Sequence, residues 1–179
     1  KKIRKGMQVK EMNEVQKKAA NAVLRSCLSN AGYDKAKKIM ELEKVLAALE
    51  KNKTGGAVRD SERYYITLFG NPGGDDLWGI SFEGHHLSLN FSLKGSDLVS
   101  STPSFFAANP ATVKSQVVDS VPLGTRVLKD EEQIAFELVN SLNEAQRKSA
   151  VIAEKAPREI RGAGAAETPK DEKDRKSDG

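Results

Sequence analysis

Between Trp78 and Leu93 apolar and polar residues alternate, and the alternation changes phase at Gly84. Before the glycine the apolar positions are even-numbered (Trp78, Ile80, Phe82); after it they are odd-numbered (Leu87, Leu89, Phe91, Leu93). Successive side chains of a strand point to opposite faces, so one continuous strand cannot change phase without an extra residue or a turn. Gly84, lacking a Cβ, is the natural place for a bulge or a tight bend. Whatever fold this chain takes must therefore contain a sheet with one apolar and one polar face, interrupted at this point.

The same shift sorts the two histidines of the chain. His85 falls in line with Leu87 and Leu89 and is expected to point toward the core. His86 joins Ser88, Asn90 and Ser92 on the polar face, which across the bend also receives Ser81 and Glu83. A polar cluster of Glu83, His86, Ser88 and Asn90 beside one buried imidazole is expected. A carboxylate and an imidazole on one face can share a divalent ion, or the carboxylate can orient the ring for proton transfer. His86 and Glu83 are thus candidate ligands or acid–base groups, and His85 is a second ligand or a support. The same residues also fit a solvent-facing His86 and a core His85 bonded to backbone. Zinc centres take three or four protein ligands, and with no third histidine a further ligand must be Asp, Glu or a group from outside the chain. Ser88 and Asn90 on the polar face, and Tyr65 beside Arg63 and Tyr64, are candidate binding residues for a small molecule.

Other motifs carry less. Gly70–Asn71–Pro72–Gly73–Gly74 lacks the Lys-Ser/Thr ending of a phosphate loop and reads as a turn. No Gly-x-Ser-x-Gly elbow is present to support a hydrolase triad. The single cysteine, Cys27, excludes an intrachain disulfide scaffold and a cysteine-rich zinc site, and its place on an apolar helix stripe marks it as an inert core thiol.

The flanking segments read as helices. Asn13 with Gln16 makes a capping box, and Val15, Ala19, Val23 and Cys27 form a stripe widened by Leu24 and Leu28. Ser29–Gly32 is expected to break this helix, with Gly32 in the left-handed conformation. A second helix follows from about Tyr33 to Glu50, burying Ala36, Ile39, Leu42, Leu46 and Leu49. Strands are expected over Arg63–Phe69, Leu77–Glu83, His85–Leu93 and Leu98–Ser104, with short turns that favour an antiparallel meander. A loop from Ser104 to Thr125 leads to a helix over Asp130–Leu142, with Ile134, Leu138 and Leu142 on one face. Asn143 with Gln146 then caps another helix. The fold class is α+β: an N-terminal helical hairpin, a three- to four-stranded antiparallel sheet, two further helices and a disordered tail. Residues 156–179 hold one large aliphatic side chain, Ile160, among six basic and six acidic residues, too little apolar surface to offset the entropy of ordering.

Charge bounds the partners. Residues 1–53 carry +8 and residues 54–179 carry −4, which together make the formal +4. The lysines of the first third are interleaved with Glu14, Asp34, Glu41, Glu43 and Glu50, as on the solvated face of a helix pair, and few aromatics accompany them to stack on bases. Nucleic acid is therefore disfavoured as a partner. No apolar run approaches the roughly 18 residues of a membrane span. Both cytoplasmic and exported locations stay open, since a chain starting at Lys1 leaves room for a lost leader.

The string EGHHLSLNF (Glu83–Phe91), with Tyr64–Tyr65, TLFGNP (Thr67–Pro72) and Trp78–Gly79 before it, resembles the family catalogued as domain of unknown function 3500. LSNAGYDKAKKIMELEKVL (Leu28–Leu46), TPSFFAANPA (Thr102–Ala111) and RVLKDEEQIAFELVNSL (Arg126–Leu142) are similar to its members as well. The resemblance covers roughly residues 3–162. It implies that residues 1–155 form one α+β domain, or half of one, in a longer protein, with 156–179 as a charged linker. It also implies a missing C-terminal half of the same chain, bearing a His-x-His, as the partner and as the source of further ligands. The reaction stays open between a divalent-metal-dependent enzyme with a His/Glu site and a non-catalytic binding or assembly module.

Overall fold

The computed structural model describes residues 4–55, 57–74 and 76–155. The expected charged tail, 156–179, lies outside them. The chain divides into two compact units, the first ending at Leu128 and the second beginning at Lys129. The fold is α+β, with four helices and six strands among the described residues.

In the first unit a short strand, β1 (Met7–Gln8), leads through a 3-10 turn into α1 (Glu14–Ser26) and α2 (Asn30–Leu49). The strands β2 (Tyr65–Phe69), β3 (Leu77–Gly84), β4 (Leu87–Lys94), β5 (Asp97–Ser100) and β6 (Ser104–Phe106) follow. All pairings are antiparallel in the order β1-β2-β3-β4-β5, and β6 pairs with the other end of the β4 edge that holds β5. Two strands beyond the expected four, β1 and β6, are two and three residues long. Segments so short show no alternation, and pairing alone makes them strands. Entry to β1 depends on Gly6, at φ +91°, where a Cβ would fall 2.4 Å from the carbonyl oxygen of Ile66.

The helix caps follow the local sequence. Asn13 accepts from the Gln16 amide at 3.0 Å and Gln16 returns the bond at 2.9 Å. Gly32 does not end α1. Ser29 Oγ accepts from the Gly32 amide at 3.1 Å, so Gly32 lies in the first turn of α2 and the break is confined to Cys27–Ser29. The buried stripe of α1 is Ala20 and Leu24, while Val15 is 79% exposed. Leu49, at the end of α2, is half exposed.

Two apolar clusters meet on α2. Ala36, Ile39 and Met40 pack with Ile80, Phe82, Leu87, Leu89 and Phe91 of the sheet. Leu42 and Val45 pack with Val113 and Val121, from the stretch expected to be loop. That stretch is a tied loop: Val113 donates to Thr125 O at 3.0 Å, Gly124 donates back to Val113 O at 2.8 Å, and Gln116 bonds across the interior. With sheet on one side and this loop on another, α2 is buried far more than an ordinary surface helix. Cys27 is partly buried against the first cluster, and burial raises its thiol pKa, which suits an unreactive thiol.

The second unit contains α3 (Lys129–Ser141) and α4 (Glu144–Ala150). Asn143 and Gln146 make the expected capping box, and Arg147 Nη2 donates to Val139 O at 2.8 Å, tying the two helices together. Ile134 and Leu138, the expected apolar stripe of α3, are 63% and 62% exposed.

Candidate functional site

The phase shift at Gly84 is a hairpin. Gly84 pairs with Leu87, leaving His85 and His86 as a two-residue turn between β3 and β4. In that register Trp78 faces Leu93, Ile80 faces Phe91 and Phe82 faces Leu89, so even positions of β3 share a face with odd positions of β4. A positive φ occurs at the second turn residue, His86, at +60°, a conformation uncommon for residues other than glycine. Glycine is required one residue earlier for a different reason. A Cβ on Gly84 would lie 2.1 Å from Tyr64 Cδ1, because the Tyr64 ring lies flat against the strand there.

The turn's main chain is held from three sides. Tyr64 Oη donates to His85 O at 2.9 Å, Arg4 Nη2 donates to Gly84 O at 3.1 Å, and the Ala107 amide, just past β6, donates to His86 O at 2.8 Å. Tyr64 is fully buried, and that burial, reinforced by the Glu43 charge, pushes its phenol pKa well above the ordinary value.

The side chains of the turn meet α2. The Glu43 carboxylate, 4% exposed, forms a short hydrogen bond with His85 Nδ1, while the His85 side chain remains 35% exposed. Arg59 Nη1 lies 3.3 Å from Nδ1 and 3.4 Å from Nε2 of the same ring. A group equidistant from both nitrogens in the ring plane would collide with Cε1–H, so the guanidinium sits over the ring face. Glu50 holds it there, at 2.8 Å from Nε and 3.4 Å from Nη2. This ion pair raises the Arg59 pKa and lowers that of Glu50. The His85 and His86 rings are 4.0 Å apart between centroids, tilted by 53°. Burial, and after it the neighbouring His85, lower the His86 pKa.

The remaining sequence candidates lie on the other face of the sheet. Glu83 sits opposite Tyr65 on one side and Ser88 on the other, and its Oε1 accepts from Ser81 Oγ at 3.0 Å. Asn90 Nδ2 donates to Pro103 O at 2.9 Å and reaches Ser88 Oγ at 3.5 Å. Among the described residues no hydrogen bond or ion pair joins Glu83 to either histidine. The structure therefore brings His85 and His86 together, and Glu83, Ser88, Asn90 and Tyr65 together, as two groups. Glu43 and Arg59 were not anticipated. Charge patterning alone places Glu43 on a solvated face, although Ala36, Ile39, Glu43 and Leu46 follow one helical stripe in which a carboxylate interrupts apolar residues. Arg59, in the connection between α2 and β2, has no such signal.

The sequence profile of the family described as "Protein of unknown function (DUF3500)" matches residues 1–174. The chain belongs to this family. No match was found among curated proteins or among solved structures. In this DUF3500 chain, no group of three or more His, Cys, Asp and Glu side chains that could hold a metal ion is assembled among the described residues. No helix among them is long and apolar enough to cross a membrane.

Proposed function

We propose that the His85–His86 turn is the working site of this protein and that it performs general acid–base chemistry on a small-molecule substrate. The supporting observation is the buried Glu43 carboxylate on Nδ1 of an imidazole that is still a third exposed. A carboxylate in that position holds the proton on Nδ1, leaves the lone pair on Nε2, and stabilises the imidazolium formed when Nε2 takes a proton. The Arg59 guanidinium, held by Glu50, covers the ring face and fixes the ring's orientation. Glu43 is then a positioning residue, and His85 the group that carries the proton.

The divalent-metal reading rests on the same two adjacent imidazoles. Against it, Arg59 Nη1 is 3.4 Å from His85 Nε2, where a guanidinium repels an incoming cation. A site there would draw further ligands from outside the described residues, such as another part of a longer chain. The assembly-module reading rests on the exposed Ile134 and Leu138 of α3, with a further part of the same protein as the natural partner.

Ring-nitrogen NMR on the wild type and on Glu43→Gln tests the acid–base reading. The Nδ1–H tautomer of His85 is expected in the wild type, with a mixture in the variant. An Nε2–H tautomer in the wild type, or no change on substitution, rejects it. Saturable zinc binding that disappears in His86→Ala would favour the metal reading instead.

A further inference from the structure

A separate cavity of about 350 Å³ opens between α1 and α2, on a different side of α2 from the histidine turn. Lys37, Glu41 and Lys44 recur at helical spacing along its wall, and at about 100° per residue Lys37 lies about 120° around the helix from Glu43. Lys17, Ala20 and Asn21 of α1 face them. Buried Val9, Ala20, Met40 and Phe82 supply the apolar lining. The cavity is at the small end of the roughly 300–1,000 Å³ range of ligand sites and, like them, combines an apolar floor with a few polar groups.

The charges around it do not balance. Lys17 pairs with Glu62 at 2.7 Å and Lys44 with Glu41 at 2.6 Å, and all four line the cavity; Lys17 also lies 3.6 Å from the exposed Glu14, which is outside the lining. Lys37 lines it too and has no carboxylate partner among the described residues. Among the side chains that line the cavity, two ion pairs and one unmatched ammonium leave a net single positive charge above an apolar floor.

We infer that this cavity binds a small organic monoanion, its apolar body on Ala20, Met40 and Phe82 and its single negative charge at Lys37. One charge neutralises the walls, whereas a dianion would overcompensate. An uncharged molecule of the same shape would leave Lys37 unmatched. The inference does not depend on the acid–base reading of His85, because the two sites share no side chain.

An NMR titration of the full chain with octanoate, octan-1-ol and inorganic phosphate tests it. Octanoate is expected to shift the amides of Ala20, Met40 and Phe82 saturably, with octan-1-ol and phosphate each weaker by about ten-fold, the scale of one charge-assisted contact. Lys37→Ala should weaken octanoate by a similar factor, and Ala20→Leu, which fills the cavity without changing its charge, should abolish the shifts. Octan-1-ol binding as well as octanoate, or octanoate binding unchanged in Lys37→Ala, overturns the proposal. So do shifts centred on exposed Leu98 and Val99, which would mean adsorption to apolar surface.

Discussion

The hydroxyl of Tyr64 donates to the carbonyl of His85 at 2.9 Å while the ring of the same residue occupies the space a side chain at Gly84 would need. One buried aromatic thereby sets both the approach to the turn and its main-chain position. Gly84→Ala must displace Tyr64 or the strand, and overpacking of this kind destabilises by about 1–3 kcal/mol. Tyr64→Phe keeps the ring and should lose about 1 kcal/mol from the missing hydrogen bond. Urea denaturation of the two variants checks both values, and Gly84→Ala should be the worse.

Burial raises the Tyr64 pKa in the folded state above the unfolded value near 10. The folded protein thus holds a proton that the unfolded chain releases, and stability falls as pH climbs above about 10. Lysines titrate in the same range, so the comparison with Tyr64→Phe isolates the phenol. Between pH 9 and about 11 the wild type should lose more stability than the variant.

His86 titrates in the opposite sense. Its folded pKa lies below the unfolded value of about 6.5, so the folded state resists protonation and stability is lost as pH falls below that value. Asn tolerates the +60° φ and carries no charge, which makes His86→Asn the suitable reference. Thermal unfolding from about pH 7.5 down to 5.5 should favour the variant progressively.

Glu43→Gln replaces a buried charged acceptor by a neutral amide beside His85 and Arg59, and a loss of about 1–3 kcal/mol is expected. Glu83→Gln, on the opposite face, should lose under about 1 kcal/mol. Equal effects in equilibrium denaturation would contradict the separation of the two groups.

Gln116 spans the 113–125 loop, donating to Val118 O at 2.8 Å and accepting from the Leu123 amide at 2.8 Å. Gln116→Ala should free that amide and loosen the cover over Leu42 and Val45. Faster hydrogen exchange at Leu123, with the sheet amides unchanged, is the expected result.

The elements that were legible are those whose cause is local. The Asn13 and Asn143 capping boxes need only residues three apart, and alternation on either side of Gly84 marks β3 and β4. The Ser29–Gly32 break was misplaced because glycine permits a left-handed stop without requiring one, and a Ser29 cap competed for the same residues. β1 and β6 were illegible because pairing partners far along the chain define them. Arg59 reaches His85 only after the chain has closed over α2, so no spacing announces it.

The sequence by itself determined the helices, the main strands, the amphipathic sheet and the adjacency of the two histidines, since periodicity, caps and chain neighbours dictate these. Only the tertiary structure decided which carboxylate meets them. The even–odd shift was compatible with a bulged strand or a turn, and a two-residue hairpin left Glu83 on the sheet's other face. Packing of α2 on the sheet, with the 113–125 loop covering a further side at Leu42 and Val45, then buried Glu43 against His85. Burial on more than one side of a helix is a property of what packs around it, and that is written in no single segment of the chain.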